Sequence, residues 1–236
     1  MTRQKMKSIL RLLSIIAVFV LLAILVLTEL STFPTFGAQQ PQVIIDAGHG
    51  LPDGGAVADD GTMESTLNLA ICNKLYALFK EAGINCIMTR SDENGIYSDL
   101  KSIRSKKVSD IKNRIEIAGK YPNALFVSVH MNTFSDSSVH GAQVFYKSDS
   151  KFSKTLAATL QSLINESFQK DNTKISKPVP KNVYLFNNIS NETILVECGF
   201  LTNSNDLKNL KDENFQKQMA QKIFIAVNAA LKSDKN

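Results

Sequence analysis

Leu125-Phe126-Val127-Ser128-Val129-His130 decides the fold: a nearly unbroken apolar run, rich in β-branched and aromatic residues, that stops at an imidazole. Such a run reads as a strand buried on both faces, the kind found in parallel sheets. Two further runs have the same form. Val43-Ile44-Ile45 ends at Asp46, and Thr193 to Val196 ends at Glu197. Ile84 to Thr89, Ala142 to Tyr146 and Val183 to Phe186 supply three more strand candidates. Helical spacing separates them. Met63 to Phe79 carries Leu67, Ile71, Leu75 and Leu78 and is stopped by Gly83. Val108, Ile111, Ile115 and Ala118 form a second stripe, Leu156, Leu160 and Leu163 a third, and Phe215 to Leu231 a closing helix. This alternation predicts an α/β fold: a single domain with a mostly parallel twisted central sheet of about six strands and helices on both faces.

Composition sets outer bounds. The chain has 236 residues, 44% hydrophobic and 21% charged, which excludes disordered and low-complexity classes. No period of solenoid length recurs. Cys72, Cys86 and Cys198 are too few and too scattered for a disulfide framework or a cysteine-rich zinc module. The N-terminus stands apart. Arg3, Lys5, Lys7 and Arg11 precede Leu12 to Leu27, sixteen residues that are apolar except for Ser14. A basic start followed by an apolar run is an export signal or a membrane anchor. Residues 1–38 are therefore read as signal peptide or N-terminal anchor with a short linker, with Thr35-Phe36-Gly37 as a weak cleavage site, and residues 39–236 as the functional domain outside the cytoplasm. Without residues 1–38 the chain has 23 basic and 21 acidic residues, so the net charge drops from +5 to +2. No nucleic-acid partner is expected on that balance.

Sites in open α/β sheets lie beyond the carboxyl ends of strands. His49 follows the first strand, His130 ends Leu-Phe-Val-Ser-Val, Glu197 ends Ile-Leu-Val, and Glu64 opens the helix after the first strand. Two histidines and a carboxylate with an open position form a catalytic zinc arrangement, and a further carboxylate can act as base. Each residue also has a plain structural reading. Glu64 can complement a helix dipole with Thr62 as cap; His49 can be a turn residue, His130 a hydrogen-bonded strand end and Glu197 a lysine's partner. Four coincident placements, three at strand ends and one at a helix start, favour the joint site. His140 reads as a loop residue. Gly48, Gly50 and Gly54 miss the dinucleotide fingerprint because Asp53 occupies the third glycine position.

Asp46-Ala47-Gly48-His49-Gly50, Glu64 at a helix start, Ser128-Val129-His130-Met131-Asn132 and Leu195-Val196-Glu197-Cys198-Gly199-Phe200-Leu201-Thr202-Asn203 resemble, in order, the zinc-dependent N-acetylmuramoyl-L-alanine amidases of the type-3 amidase family. The likeness runs from about Val43 to the closing helix. The segments Arg104 to Arg114 and Gly141 to Tyr146 look like the germination-specific spore-cortex subgroup. The resemblance implies Zn2+ held by His49, Glu64 and His130, with Glu197 as the catalytic carboxylate. It implies hydrolysis of the amide between the lactyl group of muramic acid and L-alanine in peptidoglycan, in spore cortex maturation at the forespore envelope. Asp46 and Asn132 become candidates for orienting ligands. An open site held partly by the loop 48–61 leaves room for an envelope accessory protein or the substrate to organise it, and an uncleaved N-terminus would add the membrane as a partner.

The chain departs from the family in two places. Members commonly carry an Arg-Gly pair before the fifth strand, where Asn172 to Lys177 stands here, and a proline before the Leu-Val-Glu strand, where Asn191-Glu192-Thr193 stands. Both fall near the cleft rim. Lys101 to Lys120 holds seven basic and two acidic residues and reads first as a solvated helix face, second as a contact for anionic polymer. Arg90 and Arg114 read as structural ion pairs ahead of a stem-carboxylate contact. Two rival functions remain at this level: a thiol hydrolase using Cys198 with His130, and a non-catalytic peptidoglycan-binding or scaffold module.

Overall fold

A computed structural model describes Gln4, Met6, Leu13 and residues 15–22, 40–98 and 101–233. The chain divides into two compact units, Met1–Gln39 and Gln40–Asn236. In the first, the described residues are helical; the rest of the basic start, most of the apolar run and Thr35-Phe36-Gly37 lie outside the described residues. Among the described residues no helix is long and apolar enough to cross a membrane.

In the second unit six strands form one sheet among the described residues: β1 Val43–Ala47, β2 Cys86–Met88, β3 Leu125–Asn132, β4 Gln143–Tyr146, β5 Lys177–Pro178 and β6 Thr193–Phe200. Their order is β2-β1-β3-β6-β4-β5. The first four run parallel, β4 is antiparallel to β6, and β5 is parallel to β4. All five residues of β1 are buried, as are the first five of β3 and the first four of β6. Strands covered on both faces need apolar side chains at nearly every position, which is why these runs were legible.

The helices are α1 Glu64–Glu81, α2 Ile103–Lys120, α3 Lys151–Phe168, α4 Tyr184–Asn187, α5 Ser204–Lys211 and α6 Glu213–Ser233. One core joins alternate strand residues such as Val43, Ile45, Val127 and Val196 to Ile71 and Leu75 of α1, Leu160 of α3 and Ile223 of α6. Ile44, Phe126 and Leu195 face the other way, onto Ala118 of α2 and Leu185 and Phe186 of α4. The sheet is thus covered on both faces, as expected for the period-2 alternation of its strands.

Local expectations fail in three places. Val183 to Phe186 forms the short helix α4 instead of a strand; a four-residue apolar run cannot by itself choose between them, and packing of Phe186 edge-on to Phe126, with ring centroids 6.4 Å apart, settles it. Thr62 does not cap α1: the cap position is Met63, without a side-chain hydrogen bond. Helix α5 and the exposed two-residue strand β5 were not anticipated.

Candidate metal centre

The parallel register brings the predicted residues to one edge of the sheet. His130 and Glu197 are direct partners across β3 and β6, and the ladder shifts register just beyond them, between His130 and Asn132. His49 lies two residues past β1. Its backbone is left-handed, with φ 59°, a conformation uncommon outside glycine that needs surrounding support. Two buried arginines provide it. Arg114 donates from Nη1 to the Ala47 carbonyl (2.8 Å) and from Nη2 to the His49 carbonyl (2.6 Å). Arg90 donates to the carbonyls of Ala47 (2.9 Å), Gly48 (3.0 Å) and Ser65 (2.7 Å). Asn68 Nδ2 adds a second donor to the Gly48 carbonyl, at 3.0 Å. Arg114 forms the ion pairs expected of it, whereas Arg90 forms none among the described residues and donates only to backbone carbonyls; both grip the backbone that presents His49.

Arg114 is itself neutralised. It pairs with Asp46 through Nη1 and with Asp110 through Nε at 2.6 Å. Asp46 is completely buried and also accepts from Ser128 Oγ (2.6 Å) and Thr89 Oγ1 (2.9 Å). Burial opposes its charge, but the Arg114 guanidinium and the Ser128 hydroxyl outweigh burial and hold the carboxyl below the ordinary range. Asp46 thus acts on the site through Arg114 and the loop that Arg114 holds, and through its charge on His130.

Glu64 sits at the start of α1 with 4% of its surface exposed. Its Oε1 contacts His130 Nδ1 at 2.8 Å and accepts from the Met131 amide at 3.2 Å; its Oε2 accepts from the Ala56 amide at 2.9 Å and lies 3.4 Å from His49 Nε2. Two glycines make room. A Cβ on Gly48 would lie 2.2 Å from Cε1 and Nε2 of the His130 ring, and one on Gly55, whose φ is +71°, would meet Glu64 Oε2 at 2.6 Å. The dipole-only role for Glu64 is too small to account for this packing.

One donor atom from each of His49, Glu64 and His130 lies within 4.8 Å of the others. Ligands about 2.1 Å from a tetrahedral ion stand roughly 3.4 Å apart, the spacing seen between His49 and Glu64. The proton balance of the cluster points the same way. Burial would lower the His49 proton affinity, yet Asp53 and Glu64 raise it to about 9. Burial likewise opposes charge on Glu64, but the two imidazoles keep its carboxyl well below the usual range. The donor set and spacing fit zinc.

Asp53 is the residue that sequence reading missed. Its Oδ2 contacts His49 Nδ1 at 2.9 Å and Lys107 Nζ at 3.2 Å. Holding Nδ1 this way leaves Nε2 aimed at Glu64, the usual service of a carboxylate behind a metal-binding histidine. The i+4 spacing from His49 in a glycine-rich loop was the available signal. Asn68, one turn beyond Glu64 in α1, is the other.

Glu197 stands beside the cluster, between His130 on β3 and Gln143 on β4. Its Oε2 is buried without a hydrogen-bond partner, and an unsatisfied buried oxygen is costly unless function retains it. Burial, with a contribution from the Glu64 charge, pushes its carboxyl up to about 7 against the pull of His130 and His49. No lysine pairs with it among the described residues. Cys198 points to the opposite face and is 2% exposed; its thiol donates to the Val196 carbonyl at 3.8 Å, and burial pushes it far up. That environment is wrong for a nucleophilic thiolate. His140 is an exposed loop residue, as expected, contacted by Asn172.

A half-buried His-Glu-His cluster beside a carboxylate with an unpartnered oxygen, at the carboxyl edge of a parallel sheet, has the composition expected of a metallohydrolase site. Comparison with known proteins gives the family. Residues 43–229 match the type-3 amidase family, described as N-acetylmuramoyl-L-alanine amidase, and the chain belongs to it. The germination-specific N-acetylmuramoyl-L-alanine amidase of Bacillus subtilis (strain 168) is 26% identical over 183 residues, covering 77% of this chain and 76% of the relative. The solved structure of the CwlD amidase from Clostridioides difficile, in complex with the GerS lipoprotein, superposes with a TM-score of 0.77 at 37% identity, over 81% of this chain and 98% of that one. An N-acetylmuramoyl-L-alanine amidase from Clostridium difficile 630 gives 0.68 at 28% identity, over 82% and 98%. The chain is a peptidoglycan amidase of the α/β class.

Proposed function

We propose that this amidase cleaves the bond between the lactyl carbonyl of N-acetylmuramic acid and the nitrogen of L-alanine, with zinc held by His49, Glu64 and His130 and with Glu197 as proton carrier. The observation that carries the reading is the Glu197 oxygen buried without a partner beside three converging metal donors. Zinc would supply polarisation of the carbonyl and acidification of a water. Glu197 accepts one proton from the attacking water, whose oxygen joins the lactyl carbon. It then delivers that proton to the alanine nitrogen as the C–N bond breaks. A carboxyl whose proton affinity lies near neutrality suits both halves of that transfer. Asp53 fixes the ring of His49, and Arg90 and Arg114 fix its backbone.

The germination-specific relative and the CwlD structure support a role in spore cortex maturation outside the cytoplasm. The GerS complex supports an envelope lipoprotein as accessory partner. The basic, apolar N-terminus is assigned as signal or membrane anchor for residues 1–38, ahead of the catalytic domain 39–236.

The test incubates the purified chain with muropeptide-containing glycan strands, with and without zinc, beside a Glu197→Gln variant. Mass spectrometry then looks for free stem peptide with N-terminal L-alanine. Zinc-dependent release by the parent alone is expected; release by the variant at the parent's rate would overturn the role of Glu197.

A further inference from the structure

Beyond Glu197 the sheet continues across β4 and β5, and its outer end carries a second feature. A groove of about 500 Å3 is lined by Asn132, Phe134, Gln143, Ile175, Lys177 and Phe200, among others. Its lining reaches Gln143, the strand neighbour of Glu197. Gln143 is the direct partner of Glu197 on the antiparallel pair β4–β6, and directly opposed residues share a face. Gln143 Nε2 donates to the Ile175 carbonyl at 2.7 Å, which ties the segment before β5 to the same row. One step along, Phe145 is the partner of Leu195 on one side and of Lys177 on the other.

Two lysines border this groove and differ in kind. Lys174 is tied down: Nζ donates to the carbonyls of His140 (2.6 Å) and Gly141 (2.8 Å) and lies 5.1 Å from the centre of the Phe200 ring. Burial lowers its proton affinity, as does the charge of Lys177, against the pull of Asp206. Lys177 is exposed, and among the described residues no carboxylate pairs with it. Phe134 and Ile175 are 54% and 78% exposed beside it. A groove with an apolar lining and an unpaired cation at its rim is complementary to an extended anion with apolar stretches, and its lining includes the residue directly opposite Glu197.

We propose that this groove is the subsite for the departing peptide stem, and that Lys177 determines specificity by binding a free carboxylate borne by the residue next to L-alanine. The inference rests on the amidase reading and extends it to the leaving-group side. The reach is right. Two strand spacings of about 4.8 Å across and two residues of about 3.4 Å along place the Cα of Lys177 roughly 12 Å from that of Glu197. The four-carbon stem of a lysine covers about half of that distance, and one to two extended residues, at about 3.4 Å each, cover the remainder. Phe134, Ile175 and Phe200 then contact the aliphatic parts of the stem.

The test uses two muramoyl-dipeptides that differ at one group: one with a free carboxylate on the second residue, one with that carboxylate amidated. Steady-state hydrolysis by the full chain loaded with zinc is measured for the parent, Lys177→Met and Lys177→Arg. The parent is expected to favour the free acid by about fivefold in kcat/KM, the worth of a well-placed, partly exposed charge pair. Lys177→Met is expected to abolish that preference through KM with kcat unchanged, and Lys177→Arg to retain it. The preference is also expected to shrink as salt is raised. Equal losses on both substrates, or an undiminished preference in Lys177→Met, would overturn the subsite while leaving the amidase intact. A parent that hydrolyses neither compound would overturn the amidase reading and the subsite together.

Discussion

Replacing Glu197 with glutamine removes a charge from the place where burial disfavours it most, and the size and pH dependence of the effect follow from the structure. The carboxyl is raised from 4.5 to about 7 in the zinc-free fold, chiefly by burial. A tenfold change in proton affinity is worth ~1.4 kcal/mol, and Glu197 keeps partial exposure, so the ionised side chain costs the fold ~2–3 kcal/mol. The folded value lies above the unfolded one, so the neutral carboxyl is tolerated fully below pH 4.5 and the stability is lost as pH rises through about 7. Glutamine has nearly the same shape and never ionises. Urea unfolding of chelator-treated parent and Glu197→Gln should therefore give similar stabilities at pH 4. The gap should open between pH 4.5 and 7 in favour of the variant and stay constant above. Added zinc should narrow it, because a nearby cation favours the carboxylate. A gap that does not change with pH, or one that favours the parent at pH 8, would refute the burial argument.

Other expectations follow from the same geometry. Gly48→Ala drives a methyl into the His130 ring; overpacking of this kind costs ~1–3 kcal/mol, and zinc content measured by atomic emission should fall with it. Arg114→Ala strands Asp46 as a buried charge without its main partner, which typically costs ~3–5 kcal/mol and should appear as a lower urea midpoint at pH 7. Because the folded value of Asp46 is depressed below 3.8, the parent should lose stability as pH falls below about 4, and Asp46→Asn should show a smaller acid loss in the same titration. Zinc at a hundredfold excess over its Kd should stabilise the parent by ~2.7 kcal/mol and leave Glu64→Gln unchanged, as read by thermal melts.

The residues that could be read from sequence are those at which burial or chemistry forces one residue type. Val43-Ile44-Ile45 and Leu125 to Val129 had to be apolar on both sides, and the polar residues that end them stand where a parallel sheet gathers its site. Residues that act through geometry were less visible. Asp53 lies in a loop whose path is set by contacts to Arg90, Arg114 and Asn68, none of which a local pattern encodes. Arg90 and Arg114 looked like ordinary ion-pair residues, and only the tertiary structure shows that their donors converge on three successive carbonyls. Val183 to Phe186 was misread because its apolar pattern is common to strand and helix. The strand β5 was invisible because its two residues, Lys177 and Pro178, are exposed and carry no strand signal.

Holding the metal and moving the proton are separable tasks, and one paired measurement addresses both. Zinc stoichiometry and release of L-alanyl stem peptide are determined together for the parent, Glu64→Gln and Glu197→Gln at saturating glycan. Assignment of Glu64 to the metal and Glu197 to the proton predicts zinc and product for the parent, neither for Glu64→Gln, and a full complement of zinc without product for Glu197→Gln. Product from Glu197→Gln at the parent's rate, or stoichiometric zinc with undiminished product from Glu64→Gln, would contradict it.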